Sequence, residues 1–330
     1  MKPELYHGHT RRPPFFEGWY YKLVSADESE RWAIIPGIFR SRDPDREHCF
    51  VQVLNGSTGA AAYHRYPVDS FLASRDEFDV RVGPNRFTDR RVLLDIPDGD
   101  IPVSGEVSFG PLLPWPVRLA SPGVMGPYTF IPRMECNHGV LSFDHPLEGT
   151  LRASGRQVVF TGGRGYMEKD WGASFPEAYI WMQSNHFPGG GSSFFGSIAV
   201  IPWLRGAFPG FIAGFHHDGN LHRFATYTRA RTTDLQIHDH EVVWSMSDRT
   251  YELTVRAERA QAGLLLGPTR EDMASRVGES MQAVLHVELR NRKDSTVIFA
   301  GAGRNAGLEV QGRLDALLAL QTRNSEPDRT

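Results

Sequence analysis

The chain reads as an all-β protein, a sandwich or barrel of short antiparallel strands, divided into two domains. Three observations carry this. Its 33 glycines and 22 prolines make up about a sixth of 330 residues, above the ~12% of average usage, and breakers at that density favour turns over long helices. Apolar and polar residues alternate at period two through most of the chain, as they do in strands with one buried face. The length also exceeds the ~250–300 residues at which a single core stops growing. A division near residue 160, just before the GGRGY turn, gives domains of 1–160 and 161–330.

The elements follow in order. Strand-like runs recur at roughly 8–15-residue spacing from Phe15 to about Val310, as in sandwiches and barrels. Phe15, Glu17, Trp19 and Tyr21 share one face of the first run. Residues 109–128, FGPLLPWPVRLASPGVMGPY, cannot form a central strand because proline lacks the ladder donor. They read as a long loop at a pocket mouth or as a packed connection. Ser154-Gly155 and Asp218-Gly219 each separate two alternating runs and predict tight hairpins. Tyr251, Leu253 and Val255 alternate with Glu252, Thr254 and Arg256, and Met281 to Leu289 repeat the pattern. Only GRLDALLALQTR, with Leu314, Leu317 and Leu318 on one face, reads as a helix.

Composition excludes several function classes. Thirty-six basic against 39 acidic residues leave a formal charge of −3, without the clustered positive charge a nucleic-acid partner would need. The N-terminus has no apolar signal core, and no stretch approaches the ~18 apolar residues of a membrane span. The expectation is a cytoplasmic protein, at most peripheral to a membrane. Cys49 and Cys136 lie 87 positions apart with no CxxC and are expected as reduced thiols. GAGRNA at 301–306 fits the letters of a dinucleotide fingerprint, but no βαβ unit follows, so it reads as a turn. A phosphate-binding GxxxxGK[ST] and a GxSxG elbow are absent. The pairs His7/His9, His216/His217 and His238/His240 lack the companions of a metal site, so no metal is expected.

The chemistry-bearing stretch is residues 165–187, GYMEKDWGASFPEAYIWMQSNHF. If 166–171 is extended, Tyr166, Glu168 and Asp170 share one face and Lys169 points the other way. Carboxylates two residues apart repel, which raises the pKa of one of them, more so in an apolar cavity. Trp181, Gln183 and Asn185 likewise share a face. Carboxyls, amides and indoles on inward strand faces suit a pocket for a large apolar ligand with a polar end. The competing account is structural: buried Trp and Tyr are ordinary core, and Asp170-Trp171-Gly172 is compatible with a turn.

Three segments, PFFEGWYYKL at 14–23, EKDWGASFP at 168–176 and WMQSNHF at 181–187, resemble signature segments of the tocopherol cyclase family. HHDG at 216–219, LLGPT at 265–269 and GLEV at 307–310 extend the resemblance over residues 14–311, while MECNHGVLSF at 134–143 is closer to bacterial members. The family resemblance implies two lipocalin-like β-barrels packed together, related to those of carotenoid hydratases. It also implies a cofactor-independent isomerase of the intramolecular lyase type, closing a ring on a prenylated quinol or related isoprenoid. An alkene is protonated and a phenol oxygen captures the tertiary cation.

On this resemblance Glu168 is the acid. Asp170, where the plant segment has Asn, is the group that raises the pKa of Glu168 or a hydrogen-bond acceptor, and Glu17 is the second candidate acid. Trp19, Trp171 and Trp181 are placed to stabilise the cation, and Tyr166 to line the pocket. Gln183 and Asn185 orient the quinol oxygens, with Glu135 and His138 as further binding candidates. The expected partner is an apolar small molecule. A lipid carrier without turnover, or a hydratase or isomerase acting on a polyene, would use the same cavity.

Overall fold

The computed structural model describes residues 2–119, 121–131, 134–203 and 206–325, with side chains for all of these except 275, 276 and 323–325. The chain divides into two units, Met1–Phe175 with Gly263–Val277, and Pro176–Ala262 with Gly278–Thr330. The expected division near residue 160 therefore falls inside the first unit. The reason is pairing: the strand that follows the GGRGY turn is hydrogen-bonded on both sides within that unit.

One antiparallel sheet runs through the first unit. It begins with β1 (Phe15–Val24), β2 (Arg31–Arg40), β3 (His48–Asn55) and β4 (Ala60–Tyr66), each pairing with the one before. It continues with β5 (Phe71–Ala73), β6 (Asp79–Val82), β7 (Asn85–Thr88), β8 (Arg91–Ile96) and β9 (Val103–Phe109). The proline-rich loop carries only a two-residue ladder, β10 (Val117–Arg118) with β11 (Ser121–Pro122). It packs within its own unit, with Trp115 buried and stacked on Phe143 at 5.6 Å.

Then come β12 (Cys136–Ala153), β13 (Arg156–Val159), which folds back on it, and β14 (Arg164–Gly172). The strand order is β4-β3-β2-β1-β14-β12-β9-β8-β7-β6-β5. The sheet curls enough for Val51 and Val53 of β3, Val80 and Val82 of β6 and Leu94 of β8 to share one apolar core with Trp19 and Tyr21. Register shifts near Ser142 bend β12. Gly149, at φ +131°, allows its close passage over β9, where a Cβ would come within 2.3 Å of the Glu106 carbonyl.

The second unit is also antiparallel: β15 (Ala178–Ser184), β16 (Ser193–Trp203), β17 (Gly206–His217), β18 (Asn220–Ala225), β19 (Arg231–Ile237), β20 (Glu241–Ser247) and β21 (Tyr251–Glu258). β22 (Gly263–Pro268) belongs to the first unit, and β23 (Met273–Asn291) and β24 (Val297–Gly312) complete the series. The order is β18-β17-β16-β15-β24-β23-β21-β20-β19. Residues 301–306 lie inside β24 rather than in the expected turn; register shifts against β23 absorb Asn305 at φ +50°. The Asp218-Gly219 and Ser154-Gly155 hairpins both have two successive positive φ angles, as two-residue loops of the primed type require. The helix α1 (Leu314–Ser325) buries Leu317 in the core and rests Leu314 and Leu318 against it. The fold is all-β and lipocalin-like with a short C-terminal helix. No described helix is long and apolar enough to cross a membrane.

Candidate functional site

The middle of the first sheet is built by β14 between β1 and β12. Strand alternation divides its residues as the sequence predicts: Tyr166, Glu168 and Asp170 on one face, Met167, Lys169 and Trp171 on the other. Register places His138 opposite Asp170 and Val140 opposite Glu168.

On the first face a four-residue chain forms. The Tyr166 hydroxyl donates a short hydrogen bond to Glu168 Oε2. His138 Nε2 lies 3.2 Å from the same oxygen, and His138 Nδ1 lies 2.7 Å from Asp170 Oδ1. Glu168 is only 4% exposed and Tyr166 is fully buried. Burial alone would push the imidazole pKa down, but the charges of Asp170 and Glu168 outweigh it and hold His138 up to about 10. The ring is therefore an imidazolium at neutral pH, hydrogen-bonded to Asp170 through Nδ1 and in charge contact with Glu168 through Nε2. Burial, then the adjacent Glu168 charge, pushes the Tyr166 phenol well above its ordinary value, so it remains a donor. The Cys136 thiol, raised by burial and by Asp170, stays protonated at the edge of the group. Sequence spacing placed His138 here only as a secondary candidate; the register of β12 makes it the centre.

Glu168, Asp170 and His138 bring ligand-type atoms within 4.8 Å of one another. The 2.7 Å contact between His138 Nδ1 and Asp170 Oδ1, however, leaves no room for an ion between these two ligands, each of which would stand ~2 Å from it. The arrangement suits proton transfer better than coordination.

The opposite face holds a different cluster. Glu17 and Lys169 are both fully buried and form a short ion pair. The Lys169 ammonium also donates to the Leu5 carbonyl at 2.7 Å, and lies 4.6 Å from the Trp19 ring centroid and 5.0 Å from that of Trp171. The His7 backbone N–H donates to Glu17 Oε2 at 2.8 Å, and the His7 ring stacks on Trp171 at 4.3 Å. Desolvation lowers the His7 pKa and keeps it neutral. Glu17, Trp19 and Trp171 are thus on the reverse side of the sheet from Glu168. All three side chains point away from Glu168 and both indole rings already carry the Lys169 cation, which corrects the expectation that these three serve the Glu168 pocket.

Glu135 precedes β12 and accepts from Arg270 and from the Ser174 hydroxyl, each at 3.0 Å. Trp181, Gln183 and Asn185 belong to the second unit. Ile180 and Met182 point into its core, so Trp181 and Gln183 occupy the other face of β15; all three are buried. Asn185 Oδ1 lies 2.8 Å from His186 Nδ1. Sequence reasoning missed the neighbours of Trp181. Glu309 is its cross-strand partner, Glu279 pairs with Glu309 in turn, and the Tyr179 hydroxyl donates to Glu309 Oε2 at 2.6 Å. The available signal was a lone acidic residue within each of the runs GLEV and VGES.

The family profile described as tocopherol cyclase-like matches residues 103–312. A maize (Zea mays) protein named "Tocopherol cyclase, chloroplastic" is 26% identical over 178 residues, which cover 50% of this chain and 36% of that protein. The chain thus aligns with about a third of that relative's length. Two crystal structures of CghA, one with Sch210972, superpose with a TM-score of 0.56 at 13% identity, covering 91% of this chain and 89% of theirs. That likeness concerns the fold. With the profile spanning more than half of the residues, the chain belongs to the tocopherol cyclase-like family.

Proposed function

We propose that this protein is a cofactor-independent cyclase that protonates an alkene of a prenylated quinol or related isoprenoid and closes a ring through a phenol oxygen. The observation that carries the reading is the Tyr166–Glu168–His138–Asp170 chain, buried at Tyr166 and Glu168 and half-buried at His138 and Asp170. Protonating an alkene needs an acid stronger than an ordinary carboxyl in a water-poor place. Glu168 meets this in its protonated form: the His138 imidazolium and the Tyr166 hydroxyl both converge on Oε2 and stabilise the carboxylate left after transfer. Oε1 is the oxygen that gives up the proton.

The steps balance without a redox partner. The Oε1 proton adds to the less substituted alkene carbon and leaves a tertiary cation. The phenol oxygen bonds to that cation, and its proton returns to Glu168. Asp170 keeps the imidazole charged throughout. Substrate and product have the same mass. The apolar substrate class and the quinol-orienting roles of Gln183 and Asn185 rest on the family resemblance; a location in the cytoplasm rests on the free thiols of Cys49 and Cys136.

The experiment is turnover of a prenylated hydroquinone in D2O. The expected product is isobaric with substrate except for one non-exchangeable deuterium at the former alkene carbon. Glu168→Gln should lower the rate by about 10²-fold or more, as loss of a general acid does. A product that gains a water would make the protein a hydratase. Binding without any turnover would make it a carrier. Either result sinks the cyclase reading.

A further inference from the structure

The reverse face of β14 carries a second opening, separate in chemistry from the Glu168 chain. A cleft of about 650 Å³ lies against Trp171 and Asn137, on the face that holds Lys169. That volume lies within the range of small-molecule sites. One part of its wall is apolar: Phe15, Phe130, Ile131, Met134 and the Trp171 ring. The other part is basic, with Arg11, Arg12 and Arg270. His7, which also lines it, is neutral.

The charge is unbalanced. Glu135, the one carboxylate of the lining, is committed to Arg270 and Ser174. Among the described residues, neither the Arg11 nor the Arg12 side chain has a hydrogen-bond or ion-pair partner; the Arg11 backbone N–H donates to the Gly8 carbonyl. Two guanidiniums adjacent in sequence and without a counter-charge line an apolar cleft, and Phe130 of the same lining is 59% exposed. Planar guanidiniums recognise oxyanions through paired N–H groups, and a large apolar side chain kept in water marks a surface that gains by being covered.

We infer that this cleft binds an anionic amphiphile: a carboxylate or phosphate head on Arg11 and Arg12, with an apolar body along Phe15, Phe130 and Trp171. The site is independent of the chemistry at Glu168, because strand alternation puts the two on opposite faces of the sheet.

The test is titration calorimetry on the full chain with dodecanoate, dodecyl phosphate and dodecanol, each below its micellar concentration. Both anions should bind at least tenfold more tightly than the alcohol, and the tighter of the two identifies the head group. Arg11→Gln with Arg12→Gln, two exposed positions, should lose that tenfold while leaving alcohol binding unchanged. Glu168→Gln should bind both anions as the unaltered chain does. The inference fails if the alcohol binds as tightly as the anions or the arginine pair can be replaced without effect. It fails equally if Glu168→Gln abolishes binding, which would move the ligand to the other face.

Discussion

Asp170→Asn tests the charge logic of the site in isolation. The change keeps the side-chain shape and an oxygen acceptor for His138 Nδ1, which now donates at 2.7 Å, but removes one of the two charges that hold the imidazolium. Two unit charges ~4 Å apart at an effective dielectric of ~20 interact by ~4 kcal/mol, about three pKa units. His138 should then fall from about 10 to roughly 7, retaining only the help of Glu168. The assay is a pH titration of the ring nitrogens by NMR on ¹⁵N-histidine protein, with His138→Gln identifying the signal among 13 histidines. Activity supplies a second readout. The resemblance places Asn here in the plant segments, so the variant should keep turnover within about tenfold of the unaltered chain, with its alkaline limb moved down by the same number of units. A His138 that still titrates above 9 in the variant would refute the assignment of Asp170 as its main partner. One that titrates below 7 in the unaltered chain would refute the imidazolium itself.

Two further outcomes follow from the buried charges. Because the folded-state pKa of His138 is raised, its contribution to stability is fully present below pH ~6.5 and is lost as pH climbs towards about 10. Urea unfolding between pH 7 and 10 should show a declining midpoint that flattens in His138→Gln. On the reverse face, Lys169→Met leaves Glu17 buried without its ion-pair partner and should cost ~3–5 kcal/mol, whereas Lys169→Met with Glu17→Gln should recover much of it. Additive losses in that cycle would show that the two side chains act separately.

Most of the architecture was legible because strands declare themselves by alternation. Asp218-Gly219, the Tyr251–Val255 run and the Leu-faced terminal helix stand where the pattern puts them. The GAGRNA run misled because glycine and asparagine signal turns, yet a bulged strand absorbs the same residues by shifting register. The division near 160 misled because a glycine-rich turn marks a local reversal, and only long-range pairing says to which unit the next strand belongs. For the site, period two sufficed to put Glu168 with Asp170 and to set Lys169 apart. It could not supply His138, 30 residues earlier in the chain, because cross-strand register is a property of the fold. Applied strictly, the same period would have set Trp171 apart from Glu168 as well.

The distribution of partners along β14 has a physical logic. An extended Glu168-Lys169-Asp170 run cannot pair its own charges, because the lysine projects from the other face. Each face must therefore find a counter-charge on a neighbouring strand. Glu17 receives the ammonium of Lys169, which is also anchored by a backbone carbonyl and two indole faces. An ion held from that many directions fixes geometry. Glu168 receives an imidazole instead, whose charge depends on a single proton shared between two carboxylates. An imidazolium differs from an ammonium in presenting its two nitrogens on separate sides of a ring, Nε2 toward Glu168 and Nδ1 toward Asp170.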